Sequence, residues 1–407
     1  MARWTPDPSF YPCPGSAAQA PPETLAYVAT LNTDSSPDAI GVLDLEAGSD
    51  SYGQVVGRFE MPNAGDELHH FGWNACSSAL CPWAPHPHVE RRYLLVPGLR
   101  SSRIHGIFLL DHESFDVKGQ WEDDRGTQEL AYDFWWHLGH DTVITSEWGT
   151  PNMVEDGLVG ELLLGNKYGH KLHVFDLKTR RHTQEIDLGP EHQMVLELRP
   201  AHDPSKAYGF VGVVTSTADL SASIWLWERG DDGRVSAEKV ISIPAEPAEA
   251  DQLPPLLQPF GAVPPLITDI SLSVDDRDLY VSCWGTGELK RFDVSNPRAP
   301  RETASVRLGG IVGRAAHPAS GPLNGGPQMV ETSRDGRRIY LTNSLYAAWD
   351  VQFYPEGIDG WLVKLDAGED GSLTVDPDVF VPFSGERPHQ VRLGGGDASS
   401  DSYCFPN

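Results

Sequence analysis

Short apolar and β-branched runs punctuated by Gly, Pro and Asp recur along the whole chain, as in Ala39–Leu45, Tyr93–Val96, Thr142–Thr145, Phe210–Thr215 and Leu279–Ser282. Long windows with apolar residues at helical spacing are nearly absent, so the pattern predicts an all-β protein. One element repeats: an apolar residue four positions before an acidic one, inside a strand-like run. It occurs at Ile40–Asp44, Ile107–Asp111, Leu172–Asp176, Ile224–Glu228, Leu289–Asp293 and Leu362–Asp366. In the last two copies the likeness reaches further back, where Ser273–Ser282 matches Ser333–Thr342. Each reads as strand, Asp-rich turn, strand, then the apolar-to-acidic strand, which suits four-stranded propeller blades of about 40–50 residues with added loops.

Upstream of these strands lie six short runs that carry a polar residue where a blade's innermost strand belongs: His69-His70-Phe71, Tyr132-Asp133-Phe134, Leu196-Glu197-Leu198, Thr268-Asp269-Ile270, Gln328-Met329-Val330 and His389-Gln390-Val391. The final run has no outer strands after it, and the first outer strands, Ala26–Leu31 and Ile40–Leu45, have no inner strand before them. Joining the two in one composite blade removes an open sheet edge. The expectation is therefore a single β-propeller of six blades over residues 26–397, with an N-terminal extension at 1–25 and a C-terminal tail at 398–407.

Composition narrows the partners. The 407 residues hold 31 Lys and Arg against 58 Asp and Glu, a net charge of −27. Nucleic acid and anionic membrane surfaces would be repelled, leaving small neutral or cationic molecules. No basic stretch followed by an apolar run opens the chain, and no window approaches 18 apolar residues, so a cytoplasmic location without membrane contact is expected. Five scattered cysteines, Cys13, Cys76, Cys81, Cys283 and Cys404, fit a reducing compartment better than a disulfide framework.

In a propeller the inner-strand side chains converge on a central channel. His69, His70 and His389 are then candidate ligands for Cu, Zn, Fe or Ni, since neutral imidazole is the commonest protein metal ligand. Adjacent residues in a regular strand point to opposite faces, so His69 and His70 can share an ion only at a strand entry or bulge. Glu67, Asp133, Glu147, Glu197, Asp269 and Gln328 are the other channel-lining candidates, with Glu67 placed to orient an imidazole or to serve a turn. Cys76 reads either as a small buried hydrophobe or as a thiol near the metal. No phosphate-cradling Gly loop, nucleophile elbow or H-E-x-x-H motif is present.

Met61-Pro62-Asn63, Asp66-Glu67-Leu68-His69-His70, Gly72–Ser78, Ser101-Ser102-Arg103-Ile104, Tyr132-Asp133-Phe134-Trp135, Ser146-Glu147-Trp148, Gly325–Met329, Tyr346–Asp350 and Gln352-Phe353-Tyr354-Pro355, in this order, resemble the selenium-binding protein family (SBP56), whose members include methanethiol oxidases. The resemblance runs from about Ala26 to Asp397. It implies a β-propeller and a copper-dependent oxidation of methanethiol by O2 and water to formaldehyde, hydrogen sulfide and hydrogen peroxide. His69, His70 and His389 correspond to proposed copper ligands, with Cys76 a nearby thiol to which no role is assigned.

Three departures accompany it. The family resembles a seven-bladed propeller, whereas here Ser102-Arg103-Ile104-His105 runs directly into Gly106–Asp111, so about one blade is missing between His105 and Gly106, together with a further histidine that the family proposes as a ligand. Gly53 stands where selenium-binding members carry a cysteine. Cys81 stands two positions beyond the family's second cysteine. A non-catalytic propeller that binds selenium or a thiol is therefore the first alternative, and a calcium-dependent lactonase-like hydrolase using Glu197, Asp269 and Gln328 the second.

Overall fold

The apolar-to-acidic run is the third strand of a blade. A computed structural model describes residues 5–34, 36–84, 86–100, 107–111, 114 and 116–407. Five four-stranded antiparallel sheets stand among them, each a meander from an inner to an outer strand. Pro37–Asp44, Lys171–Asp176, Ala222–Arg229, Glu288–Asp293 and Gly360–Ala367 occupy the third place in their sheets. The acid ends the strand by closing the turn: Asp44 accepts from the Glu46 amide and the hydroxyls of Ser49 and Ser51, and Asp176 from the amide and hydroxyl of Thr179. The Ser-rich turns match as well, with the Ser273 hydroxyl donating to Asp275 and the Ser333 hydroxyl to Asp335.

Closure is composite. Glu386–Leu393 pairs antiparallel with Leu25–Asn32, which is followed outward by Pro37–Asp44 and Val55–Ala64. The sixth apolar-to-acidic run departs from a four-stranded blade: Phe108–Leu110 forms a two-stranded hairpin with Val117–Gln120. The junction at Ser101–Gly106 lies outside the described residues. Most cores are interfaces between neighbouring sheets, such as Phe210, Ile224 and Ile241 against Ile270, Leu279 and Val281. The Gly325-Gly326 pair allows close passage, because a Cβ at Gly326 would overlap the Trp284 carbonyl oxygen.

The inner strands Phe134–His137, His192–Pro200, Ile267–Leu272, Val330–Thr332 and Glu386–Leu393 are stapled to their neighbours by polar side chains. Asp133 accepts the Leu198 amide at 2.8 Å, Asp269 accepts the Val330 amide at 2.8 Å, and Gln390 accepts the Phe71 amide. Three of these strands are bulged at a polar residue, since the pairing register shifts around Leu196-Glu197, Thr268 and His389-Gln390. A bulge re-aims a side chain toward the axis without ending the ladder.

The C-terminal segment is bound across the ring rather than free. The Ala398 amide donates to the Thr332 carbonyl, Ser399 donates to Glu331, and Asp401 accepts from buried Arg91 at 2.7 Å and from Ser77. Cys81 and Cys404 form a disulfide, with Cα atoms 5.3 Å apart and 323 positions between them in sequence. This corrects the expectation of reduced cysteines. The fold brings Tyr11 and Cys404 beside the Ser77–Leu80 turn, a proximity no local spacing signals.

Candidate metal centre

His69-His70-Phe71 is not a regular strand. Glu67 takes a left-handed backbone conformation with φ 49°, Leu68 makes a single bridge to Gly98, and the chain then runs without ladder partners until Gly72–Trp73. That break lets both adjacent histidines face one point. His389 reaches the same point from the bulge in Glu386–Leu393. One ligand nitrogen from each of His69, His70 and His389 lies within 4.8 Å of the other two. The His69 ring stacks on His70 at 4.4 Å and lies 3.6 Å from His389.

Nδ1 of His389 lies 2.8 Å from the Ser344 carbonyl oxygen, which must receive a proton from it, so Nε2 keeps its lone pair. Nε2 of His389 and Nε2 of His69 are both buried with no hydrogen-bond partner. Unpartnered buried polar atoms are costly and rare. Burial, reinforced by the neighbouring imidazoles, holds His69 and His389 well below the ordinary histidine range, and burial also lowers His70. Three neutral imidazoles, with the buried Nε2 atoms of His69 and His389 unpartnered, fit a first-row transition metal ion.

Aromatic and polar walls flank the trio. Tyr346 stacks on His69 at 4.3 Å and meets Trp148, which packs edge-on against Tyr132 at 5.0 Å. The Tyr132 hydroxyl donates to Glu197 Oε1 at 2.9 Å and lies 3.4 Å from His70 Nε2. Arg199 binds Glu197 at 3.1 Å and Asp269 at 3.0 Å and lies 3.6 Å from Asp133. Burial and the nearby Glu197 charge raise Asp133 and Asp269 well above the usual carboxylate range. Glu197, although burial pushes it up, is held below its ordinary value by Arg199, His70 and the Tyr132 hydroxyl.

The other sequence candidates divide. Glu197 stands beside His70, 3.8 Å from Nε2. Asp133 and Asp269 both face Arg199 but also serve as staples. Gln328 is buried with Oε1 unpartnered. Glu67 binds Arg100 and the Ala347 amide instead of an imidazole, because its left-handed backbone turns it toward the Tyr346–Phe353 segment. Glu147 is bonded to His173 at 2.8 Å, within its own blade, because it follows the second strand rather than the inner one. Cys76 contacts Ser78, and burial together with Asp401 raises its thiol, which places it in the C-terminal cluster. The supporting residues Tyr132, Ser344 and Tyr346 were not singled out from sequence, although Tyr132 adjoins Asp133 and Tyr346 opens a motif used for the family resemblance. Arg199, two positions from Glu197 on one strand face, was legible by period.

Five antiparallel four-stranded sheets, one of them joining Glu386–Leu393 to Leu25–Asn32, with three converging imidazoles define a histidine-bearing β-propeller. The sequence profile of the 56 kDa selenium-binding protein family (SBP56) matches residues 4–107 and 105–404. The chain belongs to that family. It is 34% identical to a methanethiol oxidase of Xenopus tropicalis over 481 aligned positions, covering 96% of this chain and 97% of that protein. It is 33% identical to the selenium-binding protein 2 of Mus musculus over 476 positions, with the same coverages. A hypothetical selenium-binding protein of Sulfolobus tokodaii, known from an X-ray structure, is 49% identical and superposes with a TM-score of 0.95 over 98% of this chain and 100% of that one. The family match breaks at 105–107, the junction at which the sequence reads one blade short.

Proposed function

We propose that this protein is a copper-dependent thiol oxidase of the methanethiol oxidase type, with His69, His70 and His389 as the copper ligands. The supporting observation is the convergence of three imidazoles whose buried Nε2 atoms on His69 and His389 have no partner. The names of the curated relatives support oxidation of methanethiol; the reaction proposed for this chain is that of methanethiol, O2 and water to formaldehyde, hydrogen sulfide and hydrogen peroxide. Bound copper supplies a soft site for a thiolate and a route for electrons to O2.

The chain's own residues do the rest. The Ser344 carbonyl fixes the tautomer and plane of His389. Tyr346 and Trp148 exclude water from one side of His69, so that a small apolar thiol is favoured there. Glu197, tied to Arg199, keeps an ionised oxygen beside His70. A role for Cys76 in the reaction has no support from its position, and the calcium-dependent hydrolase reading has none from the carboxylates. Asp269 accepts the Val330 amide and Arg199, and Glu197 accepts Tyr132 and Arg199.

The test is elemental analysis of the purified protein followed by methanethiol addition under oxygen. About one copper per chain and peroxide release are expected. Metal-free protein that neither takes up copper nor yields peroxide refutes the reading.

A further inference from the structure

We propose that Tyr132 and Glu197 are positioning residues that hold the proton of His70 on Nε2, so that His70 offers Nδ1 to the metal while His69 and His389 offer Nε2. The proposal rests on the reading of the three histidines as a metal site. The Tyr132 hydrogen is already committed to Glu197 Oε1 at 2.9 Å. What Tyr132 presents to His70 Nε2, 3.4 Å away, is therefore an oxygen lone pair. Glu197 Oε1 stands 3.8 Å from the same nitrogen and also only accepts. Among the described residues the hydrogen-bonding neighbours of Nε2 are these two acceptors, so the favoured neutral tautomer carries its hydrogen there and leaves the lone pair on Nδ1.

The pair is itself immobilised. Arg199 holds the second Glu197 oxygen at 3.1 Å and is anchored in turn by Asp269 at 3.0 Å and by the Leu198 carbonyl at 2.8 Å. The Tyr132 ring is wedged against Trp148, and its backbone amide is bonded to the Ser146 carbonyl. A rigid acceptor behind a ligating imidazole sets which nitrogen coordinates, and loss of such a partner lowers metal affinity by 10–100-fold. The trio is thus divided: the Ser344 carbonyl assigns the tautomer of His389, and the Tyr132–Glu197 pair assigns that of His70.

The test uses the full-length protein labelled with 15N-histidine. Long-range proton–nitrogen spectra of the metal-free form read the tautomer, and competition with a chelator reads the affinity for added Cu(II). Wild type is expected to show His70 protonated on Nε2. Tyr132→Phe, which keeps the ring, and Glu197→Gln, whose amide can turn a donor toward Nε2, are each expected to populate the Nδ1-protonated form and to weaken Cu(II) binding 10–100-fold. A His70 protonated on Nδ1 in wild type overturns the proposal. So does unchanged affinity in both variants of a protein that binds Cu(II), and there the metal site stands. A wild type that binds no Cu(II) removes the metal reading and this proposal together.

Discussion

Replacing Cys404 by Ser removes a cross-link whose effect can be worked out from the chain's connectivity. Cys81 and Cys404 are 323 positions apart, so the disulfide closes most of the polypeptide into one loop. In the chain-entropy treatment, a loop of that length lowers the entropy of the unfolded state enough to stabilise the fold by about 6 kcal/mol at 25 °C. An unfolding entropy of about 2 cal/mol/K per residue gives a chain of this size roughly 0.9 kcal/mol/K, so the melting temperature should fall by about 7 °C. The assay is thermal unfolding followed by circular dichroism, for wild type and Cys404→Ser, each with and without dithiothreitol. Thiol titration in denaturant should count the three free cysteines, Cys13, Cys76 and Cys283, before reduction and all five after it. Reductant should lower the wild-type midpoint to that of the variant and leave the variant unmoved. A variant that melts within a degree of oxidised wild type, or five free thiols at the outset, refutes the reasoning.

Three further outcomes are expected. His389→Ala should abolish stoichiometric copper uptake in equilibrium dialysis while leaving the circular dichroism spectrum unchanged. Arg199→Leu leaves Asp133, Glu197 and Asp269 facing one another without their shared cation, and should cost about 3–5 kcal/mol in denaturant unfolding, with a smaller deficit at pH 5 than at pH 8 because protonation relieves the repulsion. Burial raises Asp350 to about 6 despite Arg387, so its neutral form is favoured by folding. Its contribution is fully present below the unfolded value near 4 and is lost as pH rises to 6, roughly 3 kcal/mol across that window. Asp350→Asn should remove that part of the slope in urea unfolding measured from pH 4 to 7.

Much of the ring was legible because one device repeats. The apolar-to-acidic run recurs, and five of its six occurrences are third strands, with the acid capping the following turn at Asp44, Asp176 and Asp293. The inner runs were legible through their polar residues, but the two tasks those residues perform are alike in sequence. Asp133 and Asp269 bind the next strand's amide, whereas His389 is turned toward the axis by a bulge, and nothing in one strand's composition separates a staple from a ligand. As a strand-ending acid, Glu147 is compatible in sequence with a channel position or a turn, and only the pairing order shows that it follows the second strand of its sheet, where it meets His173. The Cys81–Cys404 link was invisible since it depends on the ring bringing distant ends together. The shared focus of His69 and His70 depends on the left-handed backbone at Glu67, a position where glycine would have announced the turn and glutamate does not.

The antiparallel pairing of Leu25–Asn32 with Glu386–Leu393 has a consequence for biosynthesis. The first of these is synthesised about 360 residues before its partner, and at roughly 5–20 residues per second the interval is about 20–70 s. Throughout it the nascent polypeptide displays an apolar strand with free amides and carbonyls, the surface that chaperones cover and that aggregates recruit. A chain that stops before Glu386 therefore leaves Leu25–Asn32 without its inner partner.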